Sequence, residues 1–221
     1  MNTRIVLVAG ASSAAGRATC TALRATGATV IAVGSNAERL ATVDADHSYV
    51  CDLADPAAVT ALAEQVREEV GSIDGLLHLV GGWRGGRSDE DWQWLSTQLI
   101  TTLRATSIAF ESQLAASDAG RFAIVSSTAV DRPTWGNANY AAAKAAAESW
   151  VGALASSWKK AATAAAVTYV VRSLGDGEGD TSATVLATRL TALWQHPARE
   201  LNGARISLVP GSDEAQERMA P

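Results

Sequence analysis

Short runs rich in valine and isoleucine alternate with longer, alanine-rich amphipathic stretches along the whole chain. Parallel strands must be joined by crossover connections, usually helices, so an unbroken βα alternation points to a parallel sheet covered on both faces. The expected strands lie near 4–9, 29–33, 48–51, 75–80, 121–126, 166–172 and 204–209. The expected helices fill 14–26, 37–43, 55–70, 88–117, 138–161 and 181–195. Asp55-Pro56 marks one helix start, because proline's fixed φ and missing N–H suit a first turn. The fold class is therefore α/β, with one doubly wound parallel sheet of about seven strands flanked by helices.

A chain of 221 residues, 48% hydrophobic and 19% charged, buries one large core, so a single domain over 1–221 is expected and a disordered or fibrous chain is excluded. The net charge of −5 is dispersed, and no basic run could neutralise successive phosphates, so nucleic acid is not an expected partner. Cys20 and Cys51 are too few for a disulfide framework, which fits a reducing, cytoplasmic compartment. The apolar start is too short for a signal peptide and runs into Gly10, and no stretch is long enough to span a membrane. His47, His78 and His196 are scattered without metal-ligand spacing, so no catalytic metal is expected. In the alanine-dense segments 141–147 and 161–166, neighbouring tryptophans and charges at helical spacing favour packed helices over low complexity.

Chemistry-bearing residues gather at the strand ends. Gly10-Ala11-Ser12-Ser13-Ala14-Ala15-Gly16 follows the first strand and opens a helix. Small residues there let backbone N–H groups approach a pyrophosphate, and the helix N-terminus adds partial positive charge. Gly81 sits after the fourth strand, at the switch point where ligands of open parallel sheets bind. Asp52 either receives a hydrogen bond from an adenine amine or caps the turn before Pro56. Tyr140 and Lys144 are four apart on an expected helix and so share one face, either as ordinary surface neighbours or as a catalytic pair. A phenol with a pKa of about 10 is a poor acid or base at neutral pH, and an adjacent ammonium lowers that value. Ser127 ends a strand at the same edge, where its hydroxyl either holds a substrate oxygen or simply turns the chain.

In these residues the chain resembles the short-chain dehydrogenases/reductases over almost its whole length, which implies a Rossmann-type fold and a hydride passed between NAD(P)(H) and a carbonyl or alcohol substrate. The family's Gly-x-x-x-Gly-x-Gly turn corresponds to Gly10, Ala14 and Gly16, its Tyr-x-x-x-Lys pair to Tyr140 and Lys144, and its serine thirteen residues before the tyrosine to Ser127. By that likeness Tyr140 is the proton donor in reduction, Lys144 lowers its pKa and holds the nicotinamide ribose, and Ser127 positions the substrate oxygen. The likeness also assigns cofactor contacts to Gly10, Ser12, Ser13, Ala14, Ala15, Gly16, Ser35, Asn36, Asp52, Leu53, Val80 and Gly81. NAD-preferring relatives carry an acid after the second strand. This chain has Gly34-Ser35-Asn36 there, with Arg17 and Arg39 nearby, which tips the balance to NADP over NAD.

The chain departs from the family at several positions. Ala14 replaces the middle glycine, and His78-Leu79-Val80-Gly81 stands in place of Asn-Asn-Ala-Gly. The relay asparagine falls on Leu99, neither Gln98 nor Thr102 obviously replaces it, and Leu174-Gly175 with Asp176 to Asp180 leaves little room for a substrate lid. These departures keep open a second reading, a catalytically degenerate relative acting as a dinucleotide-binding or protein-interaction subunit. Trp83 and Trp135 either wall a pocket for a flat or apolar substrate or pack their loops. Trp92, Trp94, Trp150 and Trp158 lie on the two helices that pair between subunits in relatives, so a homodimer or homotetramer is expected unless they pack in the core.

Overall fold

The computed structural model describes residues 3–160 and 163–211. Its strands are β1 (Ile5–Ala9), β2 (Thr29–Gly34), β3 (His47–Val50), β4 (Gly75–His78), β5 (Arg121–Ser127), β6 (Ala165–Val171) and β7 (Arg205–Ser207). They form one sheet in the order β3-β2-β1-β4-β5-β6-β7, and each of these pairings is parallel. The helices are α1 (Ala14–Ala25), α2 (Ala37–Leu40), α3 (Pro56–Glu69), α4 (Asp89–Ser96), α5 (Thr102–Ala116), α6 (Ala138–Trp158), α7 (Ala183–Thr191) and α8 (Ala198–Leu201). The chain winds outward from β1 to β3, then returns to lay β4 on the other side of β1. The connections after β1 and β4 therefore diverge and leave a crevice beyond their carboxyl ends.

Side-chain alternation along the strands divides the core in two. Leu7, Ile31, Val33, Phe122 and Ile124 pack with Val59, Phe110, Val151 and Trp158 of α3, α5 and α6. Val6, Val8, Val30, Ala32 and Tyr169 pack with Leu23, Leu186 and Leu201 of α1, α7 and α8. Both faces of each central strand are thus buried, which is why these strands read as continuous apolar runs. Asp55 caps α3 through the Ala57 and Ala58 N–H groups, with Pro56 in the first turn.

Several boundaries differ from the sequence expectation. The strand expected at 75–80 ends at His78, and that at 204–209 shortens to Arg205–Ser207. The helix expected at 37–43 is a single turn ending at Leu40, and that at 181–195 becomes α7 followed by a 3-10 turn over Ala192–Gln195. Residue 161, the expected end of the sixth helix, lies outside the described residues. The four-residue α8 is too short to leave a periodic signal. The helix expected at 88–117 contains a π-helical segment, Thr97–Thr101, where the Thr102 N–H reaches the Thr97 carbonyl. Such a segment inserts a residue and turns everything beyond it by about 100° relative to a regular helix.

At the amino end of β5 the buried Arg121 guanidinium has no carboxylate partner among the described residues and donates to four backbone carbonyls, those of Leu193, Gly120, Thr163 and His196. It fastens the segment after α7 to the sheet edge opposite the crevice.

Candidate active site

The turn from β1 into α1 is set by two glycines. Gly10 has φ +80°, and a Cβ there would lie 2.8 Å from the Leu79 carbonyl carbon. At Gly16 a Cβ would lie 2.5 Å from the Gly10 carbonyl oxygen, so α1 packs directly on the turn. Ser13 locks the junction, its Oγ accepting from the Gly16 N–H at 3.0 Å and donating to the Gly10 carbonyl at 2.9 Å. Ala14 is the first residue of α1 and is exposed, so its methyl group is accommodated in ordinary helical geometry. Gly16→Ala is expected to push α1 off the turn, destabilising the protein by about 1–3 kcal/mol and lowering the melting temperature by several degrees. Thermal denaturation of the variant checks this.

A cleft of about 1410 Å³ opens along the carboxyl ends of the strands. Ser13, Ala14 and Ala15 line it beside Val80 and Gly81, and Ser127, Tyr140 and Lys144 meet within it. Ser127 is buried at the end of β5, while Tyr140 and Lys144 lie on successive turns of α6. Thr134 and Asn137 form a capping box before α6, and Asn139 Nδ2 donates to the Ser88 carbonyl, fixing the helix start to the loop after β4.

Lys144 Nζ donates to the Val125 carbonyl at 2.7 Å and lies 5.9 Å from the centroid of the Tyr140 ring. Burial pulls the Lys144 pKa down to about 8, with Glu148 opposing. The expected lowering of the Tyr140 pKa is not found in this state. Burial raises it, and the Ser127 hydroxyl, its hydrogen-bond partner, offsets this only in part. Lys144 Nζ donates to the Val125 carbonyl, and burial of the phenol dominates its titration, so it keeps its proton.

Leu99 forms a buried apolar cluster with Leu95 and Ala143, and Tyr140 packs against it. The π segment also turns Thr102 and Thr106 onto His78: Thr106 Oγ1 lies 3.0 Å from Nδ1 and Thr102 Oγ1 3.4 Å from Nε2. Burial, together with nearby Lys144, pushes the His78 pKa down to about 3, so this imidazole at the cleft wall is neutral.

Ser35, Asn36, Asp52 and Leu53 stand at the ends of β2 and β3, away from the cleft walls around Tyr140. Asn36 Oδ1 caps α2 through the Arg39 N–H, and Arg17 donates to Thr42 Oγ1 and to the Arg39 carbonyl. Asp52 Oδ1 accepts from the Ala54 N–H at 2.9 Å, the turn-capping role, which leaves its second carboxylate oxygen for another donor. The Leu53 side chain belongs to the core.

The family model for short chain dehydrogenases matches residues 4–174. The chain belongs to the short-chain dehydrogenase family. The 3-oxoacyl-acyl-carrier-protein reductase FabG of Escherichia coli is 31% identical over 153 residues, an alignment spanning 64% of this chain but only 62% of the reductase. The 2,3-dihydro-2,3-dihydroxybenzoate dehydrogenase of Bacillus subtilis is 28% identical over 65% of this chain and 60% of its own length. Among solved structures, a short chain dehydrogenase from Shigella flexneri complexed with NADP superposes with a TM-score of 0.85 at 22% identity, covering 94% of this chain and 97% of its own. An NADPH-bound short chain oxidoreductase from Pseudomonas aeruginosa, described as containing an atypical catalytic center, superposes with a TM-score of 0.86 at 20% identity over 98% of both chains.

Eleven residues, 172–182, connect β6 to α7. Leu174 and Thr181 pair as an isolated bridge, and α7 begins at Ala183, two residues beyond Thr181. Trp83, 67% exposed, lines the cleft. Trp135 is 75% exposed and lies beneath the Arg87 guanidinium. The four helix tryptophans divide: Trp158 is buried in the core and donates to Glu111, Trp94 packs beside Gly82, Trp150 is half-buried and donates to Ser107, and Trp92 is exposed. Among the described residues, no helix is long and apolar enough to cross a membrane.

Ser126, Asp131, Glu148 and Arg205, which no sequence motif singles out, are linked beside Lys144. Ser126 Oγ donates to Glu148 Oε1 at 2.5 Å, Arg205 Nε donates to Glu148 Oε2 at 2.8 Å, and Arg205 Nη2 donates to Asp131 Oδ2 at 2.8 Å. Glu148, four residues after Lys144 on the same helix, was the detectable member.

Proposed function

We propose that this single-domain chain is an NADP(H)-dependent oxidoreductase that interconverts a small carbonyl compound and its alcohol, with Tyr140 as the acid/base. The observation that carries the reading is the meeting of Ser127, Tyr140 and Lys144 in one cleft that ends at the Gly10–Gly16 turn. That turn fits a dinucleotide: its small residues and the exposed start of α1 leave backbone N–H groups open to a pyrophosphate. Ser12, Ser13, Ala14 and Ala15 would hold the pyrophosphate, and Val80, Gly81, Tyr140 and Lys144 the nicotinamide riboside. Ser35, Asn36, Asp52 and Leu53 would hold the adenosine. The bound nicotinamide supplies or accepts the hydride.

The protein's own part is proton transfer and orientation. Ser127 holds the substrate oxygen by hydrogen bonding, and the Tyr140 phenol, kept protonated by burial, donates to that oxygen as it gains negative charge. Lys144, largely protonated at neutral pH, stabilises the tyrosinate left behind. Reversal of these steps oxidises the alcohol. Calorimetric titration with NADPH, followed by a carbonyl-substrate panel, tests the reading; NADPH binding without turnover on any carbonyl would replace it with the non-catalytic one.

The preference for NADP rests on the end of β2, where Gly34, Ser35 and Asn36 carry no carboxylate and Ser35 and Asn36 are exposed. Arg39 is exposed beside them and Arg17 is anchored to the same loop. Arg39→Ala is expected to weaken NADPH binding about tenfold, the effect of losing one charge-assisted contact, while leaving NADH binding unchanged. Titration with both coenzymes measures it.

A further inference from the structure

We propose that Glu148, braced by Ser126 and Arg205, positions Lys144 and keeps a compensating negative charge beside it. This rests on the catalytic reading of Lys144 above and adds a residue that touches neither substrate nor cofactor. Lys144 and Glu148 face the same side of α6 one turn apart, and both are tied to the end of β5: Lys144 Nζ to the Val125 carbonyl, and Glu148 Oε1 to the hydroxyl of Ser126, the next residue. These two bonds clamp the catalytic turn of α6 to the strand that ends in Ser127.

The second carboxylate oxygen is held from another direction. Arg205, on the edge strand β7, donates to Glu148 Oε2 and to Asp131 in the loop after Ser127. One guanidinium thus joins β7, α6 and the loop that follows the catalytic serine. The Glu148 side chain is only 16% exposed, so its charge acts through a poorly screened medium.

The charged and titratable groups around Lys144 come from several elements: neutral His78 on β4, Tyr140 and Glu148 on α6, Arg205 on β7 and Asp131 in the loop. Asp131 and Glu148 share the Arg205 guanidinium, and of the two carboxylates Glu148 is the one on Lys144's own helix face. Burial works against the ammonium and Glu148 works for it. Arg205 in turn draws the carboxylate towards β7 and limits its pull on Lys144.

Two substitutions separate this from a merely structural role. Glu148→Gln keeps an acceptor for Ser126 and removes the charge, so Lys144 is expected to lose its proton about tenfold more readily, its titration moving roughly one pH unit down. Arg205→Met leaves Glu148 charged and held by Ser126 alone, and the same titration is expected to move up. Loosened packing alone would expose Lys144 and raise it in both variants. The readout is the lysine side-chain NMR signal of the full-length protein against pH, assigned with Lys144→Arg. It needs no turnover, so failure of the enzymatic reading appears separately as an inactive wild type. If the protein is active, the alkaline limb of its rate profile should move with the NMR titration. Shifts of the same sign, or no shift in Glu148→Gln, would overturn the proposal. Should Glu148→Gln not fold, absence of an upward shift in Arg205→Met overturns it equally.

Discussion

Tyr140→Phe is expected to lower kcat by about 10²–10⁴, the range that a positioned general acid contributes, with a much smaller loss of NADPH affinity, since the phenol is one of several groups proposed to hold the nicotinamide riboside. The substitution removes one hydroxyl. The ring keeps its packing on the cluster of Leu95, Leu99 and Ala143, so the start of α6 and the position of Lys144 should not change. In the function proposed above the lost oxygen is the proton donor, and burial, which raises the phenol's pKa, keeps that proton in place. Neutral His78 is enclosed by Thr102 and Thr106, and Lys144 is tied to Val125, so neither is placed to substitute. Steady-state kinetics beside calorimetric NADPH titration measures both halves of the expectation. Turnover within tenfold of wild type would remove Tyr140 from the mechanism.

The largest effect on stability is expected far from the cleft. Arg121→Ala should cost about 3–5 kcal/mol, because truncating it removes the guanidinium donor from the Leu193, Thr163 and His196 carbonyls, while the Gly120 carbonyl keeps the Ala165 N–H. Arg121 is 5% exposed, and its guanidinium supplies four backbone carbonyls drawn from the β5 start, the segment before β6 and the stretch following α7. Water can reach only some of them after truncation. At about 2–4 °C per kcal/mol for a chain of this size, the melting temperature should fall by roughly 10 °C. Arg121→Lys should recover little, since one ammonium cannot reproduce a planar fork of donors. Chemical denaturation measures the difference, and a loss under about 1 kcal/mol would show that the carbonyls find other partners.

The fold was legible because its signals are local. Strands such as Ile5–Ala9 and Ala165–Val171 are buried on both faces and announce themselves as unbroken apolar runs. Asp55-Pro56 is a helix start that needs no tertiary context. The catalytic candidates were legible for a similar reason: Tyr140 and Lys144 are neighbours through helix geometry alone, and Ser127 reaches their edge once the strand order is granted.

What tertiary structure alone decided is of a different kind. The π segment at Thr97–Thr101 leaves no mark in hydrophobic periodicity, yet by inserting one residue it brings Thr102 and Thr106 to His78 and Leu99 beneath Tyr140. The direction of the Tyr140 shift could not be read from its spacing to Lys144, because it depends on how deeply the phenol is buried and on where the ammonium points, here at Val125. Arg121, Glu148 and Arg205 look like ordinary surface charges in the sequence. Their partners lie 22 to 75 residues away for the bonds from Ser126 to Glu148 and from Arg121 to His196. A sequence determines which local elements form, because propensity and capping act over a few residues. Which charges are buried, and against what, is set by contacts between distant segments, and these exist only once the sheet has closed.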